Sequence, residues 1–135
     1  EFVAVHGETI AEPVEAGTNR AALESEHVNA LVHPGLLSPE LGQVARENKK
    51  FVELSARRGH SLTNGHVANV CREAGVRMLV NSDAHAPDDL LSEALARRVA
   101  RGAGLNADET ETVLIDNPLA LLDLLGKSIS EKTTT

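Results

Sequence analysis

Met78-Leu79-Val80-Asn81-Ser82-Asp83-Ala84-His85 is a short apolar run that ends abruptly in side chains able to bind metal. The same arrangement occurs twice upstream, where Ala30-Leu31-Val32 runs into His33 and Phe2-Val3-Ala4-Val5 runs into His6. A fourth run, Phe51-Val52-Glu53-Leu54, leads into Ser55-Ala56-Arg57-Arg58-Gly59-His60. The runs are short and largely continuous, which predicts strands covered on both faces in a parallel sheet.

The segments between them have helical spacing. Thr18 or Asn19 caps a helix through Ser25. Ser38-Pro39-Glu40 supplies an N-cap followed by proline at the first helical position, opening a helix to about Asn48. Thr63 or Asn64 opens a third helix that runs to Ala74 and stops at Gly75. Asp88 or Asp89 opens a fourth, ending at Gly102 or Gly104, followed by a short helix from Ala107 and a last one from Pro118 to about Lys127. This order, β-α-β-α-β-α-β-α-α, predicts an α/β fold of parallel (β/α) repeats in one domain over residues 1–127. Residues 128–135 read as a polar, disordered tail. A complete (β/α) barrel takes about 250 residues, so a chain of 135 reads as about half of one. The chain opens inside an apolar run with no Met, as a piece of a longer protein does.

Composition narrows the function. Thirteen basic against twenty acidic residues leave a net charge of -7, the wrong sign for a phosphate-backbone binder. Two Phe with no Trp or Tyr leave little aromatic surface on which bases could stack. The single Cys71 excludes an internal disulfide and a cysteine-pair zinc site. No apolar run approaches the roughly 18 residues of a membrane span, and no signal-peptide pattern opens the chain. The expectation is a cytoplasmic chain that binds neither membrane nor nucleic acid.

In parallel α/β folds the carboxyl ends of the strands surround the binding crevice. His6, His33, Asp83 and His85 converge there, and the period of two along an extended backbone sets Asp83 and His85 on one side. Imidazole nitrogens with one carboxylate suit zinc, manganese or iron better than calcium or magnesium. His27 falls at the opposite end of a strand and reads as structural or solvated. The loop after Leu54 runs to a helix N-terminus that favours an anion. There Arg57 and Arg58 are candidates to clamp a phosphate bidentately, and His60 to donate to it or protonate a leaving group; the other reading is a polar surface loop whose Asn64 caps a helix. His66 reads as part of that surface. Glu53 points into the mouth, where a carboxylate orients a metal-bound histidine or forms a buried salt bridge. Gly7 and Gly35 allow close backbone approach just after a ligand, and Cys71 reads as a buried thiol.

His33-Pro34-Gly35 and Asn81-Ser82-Asp83-Ala84-His85, each after an apolar strand, resemble two motifs of the PHP (polymerase and histidinol phosphatase) domain family. Val5-His6-Gly7-Glu8, with Glu12-Pro13-Val14 and Thr18-Asn19, resembles the preceding histidine-bearing strand of its phosphatase-like members. The resemblance implies the carboxyl-terminal part of a distorted (β/α)7 barrel that holds up to three divalent metals and hydrolyses phosphate monoesters, histidinol phosphate among them. It assigns His6 and His33 to one metal, Asp83 to a second and His85 to a third. No metal then keeps more than two ligands from this chain, because the family's His-x-His motif, second histidine motif and bridging Glu are absent here. The implied partners are a small phosphorylated substrate and either the missing amino-terminal half of the barrel or a self-associated copy. The rival readings are a non-catalytic scaffold or partner-binding fragment, and a metal hydrolase acting on a bond such as an amide.

Overall fold

A computed structural model describes residues 1–127; the expected tail at 128–135 lies outside the described residues. Four parallel strands form one sheet in chain order: β1 (Ala4–His6), β2 (Ala30–Val32), β3 (Phe51–Ser55) and β4 (Arg77–Asn81). Helices α1 (Thr18–Glu24), α2 (Pro39–Glu47) and α3 (Asn64–Ala74) connect consecutive strands, and α4 (Glu93–Gly102), α5 (Ala107–Glu111) and α6 (Asn117–Leu124) follow β4. The α/β class and the β-α alternation are as the sequence predicts. No described helix is long and apolar enough to cross a membrane.

Register explains which side chains meet. Val5, Leu31, Val52 and Met78 align across the sheet, and the last three pack with Leu23, Ala45, Val67, Cys71 and Ala100 from helices α1 to α4. The opposite face carries Ala30, Phe51 and Leu79, against which Leu121 of α6 is packed. Coverage of the strands is therefore uneven, where the sequence predicts strands covered on both faces. One face is a full helical layer, and the other is apolar only toward the strands' amino-terminal ends. Toward their carboxyl ends that second face turns polar, with His6, Glu53 and Ser55 at every second position. β1 begins two residues later than the apolar run because it spans only the three residues that pair with β2, leaving Phe2 exposed.

Local chemistry sets the helix limits. Ser38 accepts from Leu41 N–H at 3.2 Å and Pro39 follows at the first helical position, while Gly75 ends α3 in the left-handed region. The helix expected from Asp88 or Asp89 begins instead at Glu93, capped by Ser92. Asp89 is used otherwise: its Oδ2 accepts from the backbone N–H of His85 at 2.9 Å and Ala86 at 3.0 Å. Those hydrogen bonds, His85's first, hold its carboxyl below the usual carboxylate range. Thr18 and Asn19 do not cap α1, whose N-cap is Gly17. Thr112–Asp116 adopts a wide π turn joining α5 to α6, just ahead of Pro118, which has no N–H to give the α-helical ladder. Asn117 stitches this junction to the sheet by donating to Met78 O at 2.8 Å. Burial pushes the Cys71 thiol up to about 12, so it is an inert core thiol.

Candidate metal centre

The carboxyl ends of the strands surround an open hollow of about 480 Å³ lined by His6, Val32, His33, Glu53, Asn81 and Asp83. His33 is the most firmly held of them. It is 3% exposed and Glu53 is 2% exposed, and Glu53 Oε2 accepts from both the backbone N–H of His33 at 2.9 Å and its Nδ1 at 2.8 Å. A carboxylate only accepts, so Nδ1 carries the proton and the lone pair lies on Nε2. This is the orienting contact that metal-binding histidines use. Nε2 of His33 lies 3.1 Å from Nδ1 of His6.

His60 stacks on His33 with ring centroids 4.2 Å apart and planes 12° from parallel. Its Nδ1 meets Thr9 Oγ1 at 2.7 Å, and that hydroxyl also accepts from Ala11 N–H at 3.3 Å. In the tautomer whose Nδ1 donates to Thr9, Nε2 carries the lone pair. Burial, and then the neighbouring His33, lower the His60 pKa and favour the neutral ring that a metal needs. Nε2 of His60 and Nε2 of His6 are buried without a hydrogen-bond partner among the described residues. Both face Glu12, whose Oε2 is 3.8 Å from His60 Nε2 and 4.0 Å from His6 Nε2. Buried ring nitrogens without partners are rare in native folds and call for an explanation such as an ion.

Among the described residues, His33, His60 and Asp83 form the one group whose ligand atoms all lie within 4.8 Å of one another. Two imidazoles, one of them with a bare buried nitrogen, and one carboxylate fit zinc, manganese or iron. The structure thus regroups the expected ligands. His60, expected to touch phosphate, joins His33 and Asp83, and three donors from this chain meet where at most two per metal were expected. His6 stands beside this trio through its contact with His33. His85 stands at the rim with a side chain 63% exposed. The extended-strand argument for Asp83 and His85 does not hold, because β4 ends at Asn81 and Asp83 has φ 46°. The chain turns there, and Nδ1 of His85 reaches back to Asp83 O at 2.6 Å.

Arg57 joins the cluster and Arg58 does not. Nη1 of Arg57 donates to Asp83 Oδ2 and Asp83 O, each at 3.0 Å, and touches His85. Arg58 is exposed. His27 is exposed, with Glu26 its neighbour, and His66 donates to Leu37 O at 2.7 Å, so both are outside the hollow as expected. Asn64 ties α3 to β3 by accepting from Ser55 N–H at 2.9 Å and donating to Ser55 O at 2.8 Å. Thr9 was not legible as a site residue, since its partner His60 lies 51 residues away along the chain, and Glu12 was not because it meets His60 and Arg57 as well as the nearby His6.

The loops that present these residues are packed backbone to backbone. Gly35 has φ +66°, and a Cβ there would lie 1.9 Å from Glu8 O; one on Gly7 would lie 2.8 Å from Pro34 Cα. Asn19, buried beneath, accepts from Glu8 N–H at 2.9 Å and donates to Pro34 O at 2.8 Å. His33 itself has φ 35°. Two of the three grouped ligands therefore hold a backbone conformation that side chains disfavour, a concentration of strain typical of functional sites.

The structure so far defines an α/β chain with a histidine–carboxylate cluster at the carboxyl edge of a parallel sheet. No family model matches the sequence. The chain is 49% identical over 122 residues to the uncharacterized protein MJ1295 of Methanocaldococcus jannaschii, a match covering 90% of this chain and 56% of that protein. It is 31% identical over 93 residues to a probable phosphatase of Acetivibrio thermocellus, covering 62% of this chain and 38% of the relative. The chain therefore spans about half the length, or less, of these curated relatives.

Proposed function

We propose that this chain is part of a metal-dependent phosphoesterase of the PHP type, supplying part of its metal site and of its barrel. The observation that carries the reading is the meeting of His33, His60 and Asp83, with the buried Nε2 of His60 left without a partner among the described residues. The similarity to a protein named a probable phosphatase supports the phosphate-ester half of it. His33, His60 and Asp83 hold one divalent cation; His6, Glu12 and His85 surround it and are candidates for further cations. Bound divalent metals lower the pKa of a water ligand and offset charge on phosphoryl oxygens. Glu53 fixes the His33 ring and keeps the proton on its Nδ1, Thr9 holds the His60 ring in place at its Nδ1, and Arg57 orients a phosphate monoester.

The four-stranded sheet in chain order suits part of a barrel, with β1 and β4 as open edges. We propose that those edges take up the rest of the barrel or a second copy of the chain, since unpaired parallel edges tend to pair.

The test is metal analysis with a panel of phosphate monoesters, on the whole protein that contains this chain. Asp83→Asn is expected to lower turnover by at least about a hundredfold, a loss of about 2.7 kcal/mol or more in transition-state stabilisation. Asparagine tolerates the left-handed backbone at this position, so unfolding midpoints should change little. His27→Ala should turn over as wild type. Equal losses at both positions would contradict the assignment of the mouth, and a protein with neither metal nor turnover would leave the scaffold reading in its place.

A further inference from the structure

The carboxylate that a metal would use already has a cation beside it. Nη1 of Arg57 lies 3.0 Å from Asp83 Oδ2 and 3.0 Å from Asp83 O, and it touches the His85 ring at Nδ1. Its Nη2 lies 3.8 Å from Glu12 Oε1. One guanidinium thus spans Asp83, His85 and Glu12, three of the groups left for cations once His33 and His60 are counted. The Arg57 backbone is fastened to the end of β3 by its N–H to Ser55 Oγ at 3.2 Å, whereas the side chain is long and 26% exposed. The anchor can stay while the charged end moves.

We propose that Arg57 is a resident cation which a metal must displace, and that its displacement is what frees it to bind phosphate. The inference rests on the metal-site reading above and adds a coupling between the two ligands. Without metal, Arg57 neutralises Asp83. A divalent cation on Asp83 repels the guanidinium and removes its acceptor. The free fork then has Glu12 on one side and the open hollow on the other, and a planar bidentate donor matches phosphate oxygens. Metal and phosphate are thereby bound in order: phosphate binds weakly until metal has released the arginine.

The experiment is isothermal titration of the chain with zinc, and of the zinc-loaded chain with inorganic phosphate, for wild type, Arg57→Gln and Arg57→Lys. Arg57→Gln is expected to bind zinc about tenfold more tightly and phosphate about tenfold more weakly, each about 1.4 kcal/mol. Arg57→Lys, which keeps the charge and loses the fork, should stay near wild type for zinc and weaken phosphate. A merely structural arginine would not move the two affinities in opposite directions. Zinc binding unchanged or weakened in Arg57→Gln, with wild type binding normally, would overturn the coupling and leave the metal site standing. Zinc binding to neither protein would overturn both.

Discussion

His33→Ala is expected to destabilise the fold by about 2–3 kcal/mol, the usual consequence of removing a buried hydrogen-bond donor from a charged acceptor. Glu53 is 2% exposed, and its Oε2 takes both of its hydrogen bonds from His33, one from the ring and one from the backbone. Alanine would keep the backbone donor and lose the ring, leaving the almost wholly buried Glu53 carboxylate without the His33 ring that it holds. Taken as a metal ligand alone, His33 would remove no core volume when lost and leave most of the stability intact. The structure corrects this, because the ring is part of the core's polar wiring. Urea unfolding would show the loss, and adding Glu53→Gln to His33→Ala should recover part of it, since a neutral amide is cheaper to bury unpaired. A loss under about 1 kcal/mol in His33→Ala would mean that Glu53 is not confined as described.

Gly35→Ala should be at least as damaging. The residue has φ +66°, and the added Cβ would lie 1.9 Å from Glu8 O and 3.2 Å from Thr9 Cα, both backbone atoms that cannot swing aside. A left-handed alanine alone costs about 1–2 kcal/mol. Separating the two loops would also break the Asn19 bridge between Glu8 and Pro34 and shift Thr9 away from His60. The combined loss is expected at about 4 kcal/mol or more, a large share of the roughly 5–15 kcal/mol that holds a domain together. Gly17→Ala is the control: its φ is +92° but nothing lies within 4 Å of the added atom. Midpoints of thermal unfolding should therefore fall much further for Gly35→Ala than for Gly17→Ala, and similar shifts would mean that the loops are not in backbone contact.

The sequence showed what depends on short-range pattern. The four apolar runs became the four strands, Ser38-Pro39 opened α2 and Gly75 closed α3, because caps and turns are decided by neighbours. The mouth of the fold was legible for the same reason, since His6, His33, Asp83 and His85 follow strands. Glu53 was readable as the partner of a ligand because it interrupts an apolar strand. What stayed hidden depended on partners far along the chain. His60 resembles any loop histidine until Thr9 is found at its Nδ1 and His33 stacked against it. Asp89 and Ser92 are equally good caps in isolation, and the loop's need to satisfy the backbone of His85 decided between them. The strain at His33 and Asp83 carries no sequence signature at all.

The most direct test of the metal centre is anomalous diffraction from crystals of the chain loaded with zinc. The account predicts a zinc peak bounded by His33, His60 and Asp83, absent from Asp83→Asn crystals prepared in the same way. A wild-type chain with no zinc among these residues, or with zinc held only by the exposed His85 or His27, would contradict it.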